Sequence, residues 1–367
     1  MKNVKLSMSG RLGVLICALL VASCSTPAQP TAAPAPVAAT QIPQLPSAEV
    51  KATDVAKPTE APKPTVAPTV PPTPTAKPKS VIKLAENPWA GSTVNVYVAK
   101  QIIEQKLGYK VEIVTIDENA QFPALSNNEL SASLEVWPSG HAEDEDKFIT
   151  KAKTVERIGD LGIVGKIGWY LPTYMTKDKP ELATWEGVKR NATLFKSAET
   201  GNRGRFLLGD PSWVSYDDAI IKNLGLDFRV VNAGSEEALL ASLDKAYAAQ
   251  KPILFYYWTP HELHSKYDLT RVKLPDYTEA CGKLAGDKAT AGKVNCDYPP
   301  DVLYKVASVK LKTEAPDVYA MLKKMSYTEK DQISMAGAIA FGKKDPASVA
   351  KDWVDKNPTV WNAWLTP

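Results

Sequence analysis

From about residue 83 to the end of the chain, short apolar runs alternate with stretches of helical spacing, and this alternation restricts the fold more than any other feature. VIKLAE (81–86) and KVEIVTI (110–116) read as strands, and TVNVYVAKQIIEQKLG between them reads as a helix ended by Gly108. In SASLEVW (131–137), Ser131, Ser133 and Glu135 alternate with Ala132, Leu134 and Val136, the period of a half-buried strand. GKIGWYLPTYM, RFLLGDPSWV, FRVVNA, PILFYYW and VLYKVASVKL supply further strands. SYDDAIIKNLG and SEEALLASLDKAYAAQ are predicted helices, the second with Ser235 as N-cap and two acids in its first turn. Beyond VLYKVASVKL the chain reads as mostly helical. Such alternation predicts an α/β architecture on parallel sheets. About 285 residues suit two lobes or one large domain.

The N-terminal region does not belong to that fold. Lys2, Lys5 and Arg11 precede LGVLICALLVAS, an apolar run too short to be a permanent membrane span. The run ends at Val21-Ala22-Ser23-Cys24, which resembles the lipobox of bacterial lipoproteins. That resemblance implies a signal peptide over 1–23, lipidation of Cys24 and a membrane anchor. An ordinary secretory signal with an incidental cysteine is the plainer alternative. Residues 24–82 then form a tether. Residues 25 to 80 hold 14 of the 29 prolines and no aromatic residue, so they cannot offset their ordering entropy. Proline biases such a segment toward polyproline II, a spacer of about 3 Å per residue.

Charge and cysteine usage exclude several functions. The net charge is only +3, and no Lys/Arg cluster interleaves with aromatics, which argues against a nucleic-acid partner. No second apolar run approaches about 18 residues, so no membrane span is predicted. Of four cysteines, Cys17 leaves with the signal, while Cys281 and Cys296 flank a polar, Gly-rich loop in an exported chain. A disulfide between them is expected, worth about 3 kcal/mol in the chain-entropy picture. Zinc would need more ligands than this pair. HELH (261–264) lacks the H-E-x-x-H spacing and reads as a solvated helix face. The acidic run Glu143–Asp146 reads as an exposed first helical turn. No Ser-His-Asp or Cys-His constellation is present, and no catalytic residue, metal or cofactor is assigned.

Three strand exits share one context. Trp137 ends SLEVW, Trp213 follows FLLGDPS and Trp258 ends PILFYYW, with Pro138, Pro211 and Pro260 respectively within two residues. If the strands run parallel, these exits share one sheet edge, where open α/β sheets bind ligands. Three indoles would then line one cleft. Sugars stack on such faces. Quaternary ammonium ions have no N–H to donate, so aromatic faces are their main specific attraction, worth roughly 0.5–2 kcal/mol per ring. A sugar site wants many Asp, Asn and Arg side chains; a betaine needs the cage and a few donors for one carboxylate. The donors near these tryptophans are His141, the Ser215 hydroxyl and backbone N–H groups before SYDDAIIKNLG.

At this level of detail the chain resembles the substrate-binding proteins of glycine betaine, proline betaine and choline ABC importers. The resemblance runs through NPWAGSTVNVYVAKQIIEQKLGYKV, SLEVWPSGH, GKIGWYLPTYM, DPSWV, KPILFYYWTPH, NCDYPPD and WVDKNPTVWNAWL. It implies a two-lobe, type II-like periplasmic-binding-protein fold with the ligand in the interlobe cleft. Lobe one would comprise 83–177 and 288–367, and lobe two 178–287. Trp137, Trp213 and Trp258 match the cation cage. His141 and the backbone N–H groups of Val214 and Ser215 match the carboxylate site, where Val-Ser replaces the Gly-Cys of some members. Trp89 and Trp169 lie in family-like segments and are further candidates for the lining. The implied function is an extracytoplasmic, lipid-anchored and monomeric receptor. It would capture glycine betaine or a related quaternary amine and pass it to an ABC permease, with osmoprotection as the outcome and no enzymatic activity. The alternative from another class is a glycan-binding lipoprotein or secreted enzyme using the same Trp-lined cleft.

Overall fold

The computed structural model describes residues 79–366. The signal peptide, Cys24 and nearly all of the tether lie outside the described residues. Nine strands are present among them: β1 Ile82–Glu86, β2 Val111–Thr115, β3 Ala132–Val136, β4 Val155–Pro172, β5 Gly204–Leu208, β6 Phe228–Asn232, β7 Phe255–Thr259, β8 Leu269–Arg271 and β9 Pro300–Ser308. They join in the order β2-β1-β3-β9-β4-β7-β5-β6, with β8 beside β4.

The sheet is mixed, not purely parallel. β1 runs parallel to β2 and β3, and β5 runs parallel to β6 and β7. β9 and β4 run antiparallel between these two parallel groups. β4 is the connector: its first part pairs with β9, ending at Lys166↔Pro300, and Lys166–Tyr170 pair with β7. The sequence alone shows this strand only from Gly165, because polar residues such as Glu156, Arg157 and Asp160 interrupt the apolar pattern before it.

The cores divide at the same place. Ile82, Leu84, Val96, Ile158, Ile163 and Leu303 belong to one apolar cluster, which also takes the C-terminal helices. Ile167, Phe206, Phe228, Leu239, Phe255 and Tyr257 belong to another. A smaller cluster around Phe122, Leu125, Val136 and Phe148 covers the other side of β3. The result is an α/β fold of two lobes linked through β4 and β9. β3 is buried at every residue, against the half-buried expectation. It lies between β1 and β9 with both faces covered, so its polar side chains point into protein and not into water.

Helix boundaries follow local chemistry. Ser235 accepts from the Ala238 N–H at 3.1 Å and caps the helix Glu236–Ala248, as expected. Prolines open the C-terminal helices Pro316–Lys324, Pro346–Lys356 and Pro358–Leu365. Thr328 and Asp331 form a capping box at Glu329–Ala340. Trp353, Trp361 and Trp364 on the last two helices are buried in the first cluster. Lys305 of β9 is fully buried and donates to the carbonyls of Asp160 (2.9 Å) and Met325. Burial pushes its pKa down to about 8. Cys281 and Cys296 are joined, with their Cα atoms 6.4 Å apart.

Candidate functional site

The three strand-exit tryptophans meet in one cavity. Trp137 follows β3, and the turn Pro138–Gly140 carries the chain away behind it. Trp213 lies between β5 and the helix Asp217–Asn223, while Trp258 belongs to β7 itself. The Trp137 and Trp258 rings are 6.2 Å apart at 72°, and those of Trp213 and Trp258 are 5.2 Å apart at 82°. Two walls therefore stand nearly perpendicular to a third. Tyr257 stacks behind Trp258 at 4.3 Å and 7°, and Tyr256 lies 5.8 Å from Trp213. Trp137 packs against both apolar clusters, so the cage spans the junction of the lobes.

Two glycines let these rings lie where they do. A Cβ at Gly165 would stand 2.2 Å from the Trp137 ring, and one at Gly209 would stand 2.3 Å from the Trp213 ring. No side chain fits under either indole.

Trp89, which precedes the helix Ala90–Ile102, also lines the cavity. Its Nε1 donates to Glu135 Oε1 at 2.7 Å. Trp169 does not line it: this residue is fully buried, donates to Asp217 Oδ1 at 2.6 Å and packs on Phe206. Burial pushes Asp217 up to about 7.

The polar end differs from the sequence reading. Val214 lines the cavity, but Ser215 and His141 do not. The Val214 N–H donates to Oε1 of Glu118 at 2.6 Å. Glu118 comes from the first turn of the helix Glu118–Ser126 and forms part of the cavity wall. His141 is 1% exposed behind it, with Nε2 3.2 Å from Glu118 Oε2 and Nδ1 3.3 Å from Asp144 Oδ2. Burial works against the imidazolium, but the hydrogen bonds with Asp144 and Glu118 outweigh it and raise the pKa to about 9. Asp144 is thus buried as a partner of His141, in contrast to the solvated acidic run expected. HELH is not a solvated face either. His261 is buried and accepts the Leu263 N–H at 3.1 Å, and His264 hydrogen-bonds the Trp258 carbonyl at 2.8 Å.

Hydrogen bonds draw the two parallel-strand regions together around the cavity. Tyr216 donates its hydroxyl to the Ser139 carbonyl at 2.7 Å, and Asn119 Nδ2 donates to the Ser212 carbonyl at 3.1 Å. The Ala90 N–H donates to Glu236 Oε2 at 2.9 Å. Tyr298 donates to Asp217, and its hydroxyl accepts the Tyr216 N–H.

Sequence reasoning missed Glu118, Glu135, Tyr216, Tyr256 and Tyr298. Glu118 reads as an ordinary first-turn acid after the cap Asp117. Only Glu135 left a signal, a carboxylate two residues before a cage tryptophan. Among the described residues, no cluster of His, Cys, Asp or Glu fits a metal ion, and no helix is long and apolar enough to cross a membrane.

Comparison with known proteins places this cavity in context. The OpuAC family model, the substrate binding domain of ABC-type glycine betaine transport systems, matches residues 80–356. The trimethylamine N-oxide-binding protein of Pelagibacter ubique (strain HTCC1062) is 27% identical over 295 residues, 77% of this chain and 90% of that protein. Lactococcal OpuAC, solved closed with glycine betaine, superposes with a TM-score of 0.61 at 20% identity, covering 78% of this chain and all of the other. A choline-binding protein of an ABC transporter, solved with choline, gives 0.62 at 19% identity over 78% of this chain and 91% of its own. These two likenesses show a shared fold.

Proposed function

Because the chain belongs to the OpuAC family of substrate-binding domains of ABC-type glycine betaine transport systems, we propose that its aromatic box captures a methylated ammonium compound without a carboxylate of its own. The chain is a substrate-binding protein of an ABC importer for betaine-like compounds, not an enzyme. Trp89, Trp137, Trp213 and Trp258 supply the faces. A methylated ammonium cannot donate hydrogen bonds through its methyl groups, so these faces and nearby negative charge are its specific attractions.

The observation that carries this reading is the Val214 N–H bound to Glu118. A ligand carboxylate would need that donor and would face the Glu118 carboxylate. Two like charges about 4 Å apart repel by about 4 kcal/mol at an intermediate effective dielectric. An ammonium group beside Glu118 is attracted instead. Choline fits these terms: its cation meets the rings, and its hydroxyl can donate to Glu118 or pair with the Tyr256 hydroxyl. An N-oxide oxygen can accept from Tyr256, and the Pelagibacter relative supports that member of the class. Glycine betaine is the second reading, favoured by the family's description. It requires Glu118 to release Val214.

The remaining parts of the proposal concern setting. Cys24 anchors the protein by lipid outside the cytoplasmic membrane, and the Pro-rich tether lets a monomeric head reach its permease. The lobe boundaries expected at 177 and 288 shift to about 166 and 300, because Ile167, Met175, Val294 and Tyr298 pack in the second core, and the lobes close over ligand by bending where β4 and β9 pass between the cores. Calorimetric titration with tetramethylammonium, choline and trimethylamine N-oxide tests the reading. Binding of at least one is expected, and silence from all three at millimolar concentration would remove it.

A further inference from the structure

Glu135 is 2% exposed in β3 and is enclosed by hydrogen-bond donors. Its Oε1 accepts from Trp89 Nε1 at 2.7 Å and from Trp137 Nε1 at 3.2 Å. Its Oε2 accepts from Asn95 Nδ2 and Gln332 Nε2, both at 2.7 Å. An indole N–H can only donate. Burial raises the Glu135 pKa, and the hydrogen bonds from Trp89, Trp137, Asn95 and Gln332 oppose that rise. A proton on Oε1 would face two donors and no acceptor, so the geometry at that oxygen favours the carboxylate. All four partners are uncharged. A buried charge without a counter-ion is costly, and the arrangement raises the question of what balances it.

The neighbours suggest the answer. Both indoles that bind Oε1 line the ligand cavity. We propose that Glu135 is a positioning residue whose counter-ion is the bound ammonium. It holds Trp89 and Trp137 by their N–H groups and presents negative charge to the cation through those two rings. A hydrogen bond from an indole to a carboxylate polarises the ring, and the low local dielectric strengthens attraction across it. This role rests on the ammonium reading above and adds a residue that no ligand touches. It also separates two contributions that a Trp substitution removes together, the ring face and the charge behind it.

The test compares choline with its neutral carbon isostere, 3,3-dimethylbutan-1-ol, which has the same shape without the charge. The readout is the ratio of the two affinities, because mere loosening of the rings weakens both ligands. In Glu135→Gln the ratio should fall at least about fivefold, since a charge behind the rings is lost. Glu135→Gln combined with Gln332→Glu keeps one buried carboxylate in the same hydrogen-bonded pair but places it on residue 332, away from the two indoles. This double variant gives a folded protein to measure should the single one fail to fold, and its ratio should fall as well. A wild-type protein that bound choline no better than the alcohol would contradict the ammonium reading itself. A wild-type preference that survived in the variants would contradict only the role of Glu135.

Discussion

The backbone N–H of Val214 donates to Oε1 of Glu118 at 2.6 Å, next to the indole of Trp213. A donor that a ligand carboxylate would need is thereby satisfied within the protein. Glu118 is in turn backed by His141, which is backed by Asp144. The polar end of the cavity is an acid–imidazole–acid chain, and the other end is a box of rings.

The rings should act through their faces. Replacing Trp213 or Trp258 with Leu keeps apolar bulk but removes the quadrupole, so choline affinity should fall about tenfold, close to 1.4 kcal/mol. Phe or Tyr at the same position should lose less. Titration calorimetry on the series decides; equal losses for Leu and Phe would make the box only an apolar wall.

The glycines under the rings should be needed for binding. Gly165→Ala puts a methyl 2.2 Å from Trp137, and Gly209→Ala puts one 2.3 Å from Trp213. Each indole must move, so affinity should drop at least about tenfold while overpacking costs about 1–3 kcal/mol of stability. Affinity and thermal midpoint together check this, and unchanged affinity in both variants would contradict it.

His141 should make stability pH-dependent. Its folded pKa of about 9 exceeds the ordinary 6.5, so folding favours the proton. That contribution is nearly complete at pH 6.5 and is lost as the pH rises through 9, on the order of 3 kcal/mol. Lys305 acts in the opposite sense, since burial lowers its pKa to about 8. The measurement is therefore the difference between wild type and His141→Gln in denaturant unfolding at pH 6.5 and 9.5. The difference should shrink at the higher pH, and a constant difference would contradict the assignment.

Reducing the Cys281–Cys296 bridge should lower stability by about 3 kcal/mol and leave ligand affinity nearly unchanged. The bridge closes a 15-residue separation, and neither cysteine lines the aromatic box. Thiol labelling before and after reduction checks the pairing; free thiols in the exported protein without reductant would contradict it.

The strand and helix alternation was legible because each element carries its own period. Ser235 and the capping region of Glu236–Ala248 show this well. What was not legible depends on neighbours distant in sequence. The polar positions of β3 look solvated by period, yet Ser133 and Glu135 are buried because β1, β9 and helices cover both faces. The meeting of the three rings could be expected from strand-exit tryptophans that each have a proline within two residues. His141 could be read as a site residue but not as one hidden behind Glu118, because the intervening acid lies 23 positions away. Trp169 and Trp89 occupy similar family-like contexts, and only the packing on Phe206 and Asp217 sets Trp169 apart as core.

The central claim is that the ligand is a methylated ammonium without a carboxylate, and competition between choline and glycine betaine tests it most directly. Both carry the same trimethylammonium head and differ in the group that meets Glu118. Titrated side by side at pH 7 and fixed ionic strength, choline should bind at least about tenfold more tightly, a difference of about 1.4 kcal/mol. Glu118→Gln should narrow that gap by removing the repulsion. Tighter binding of glycine betaine by the wild-type protein would contradict the account.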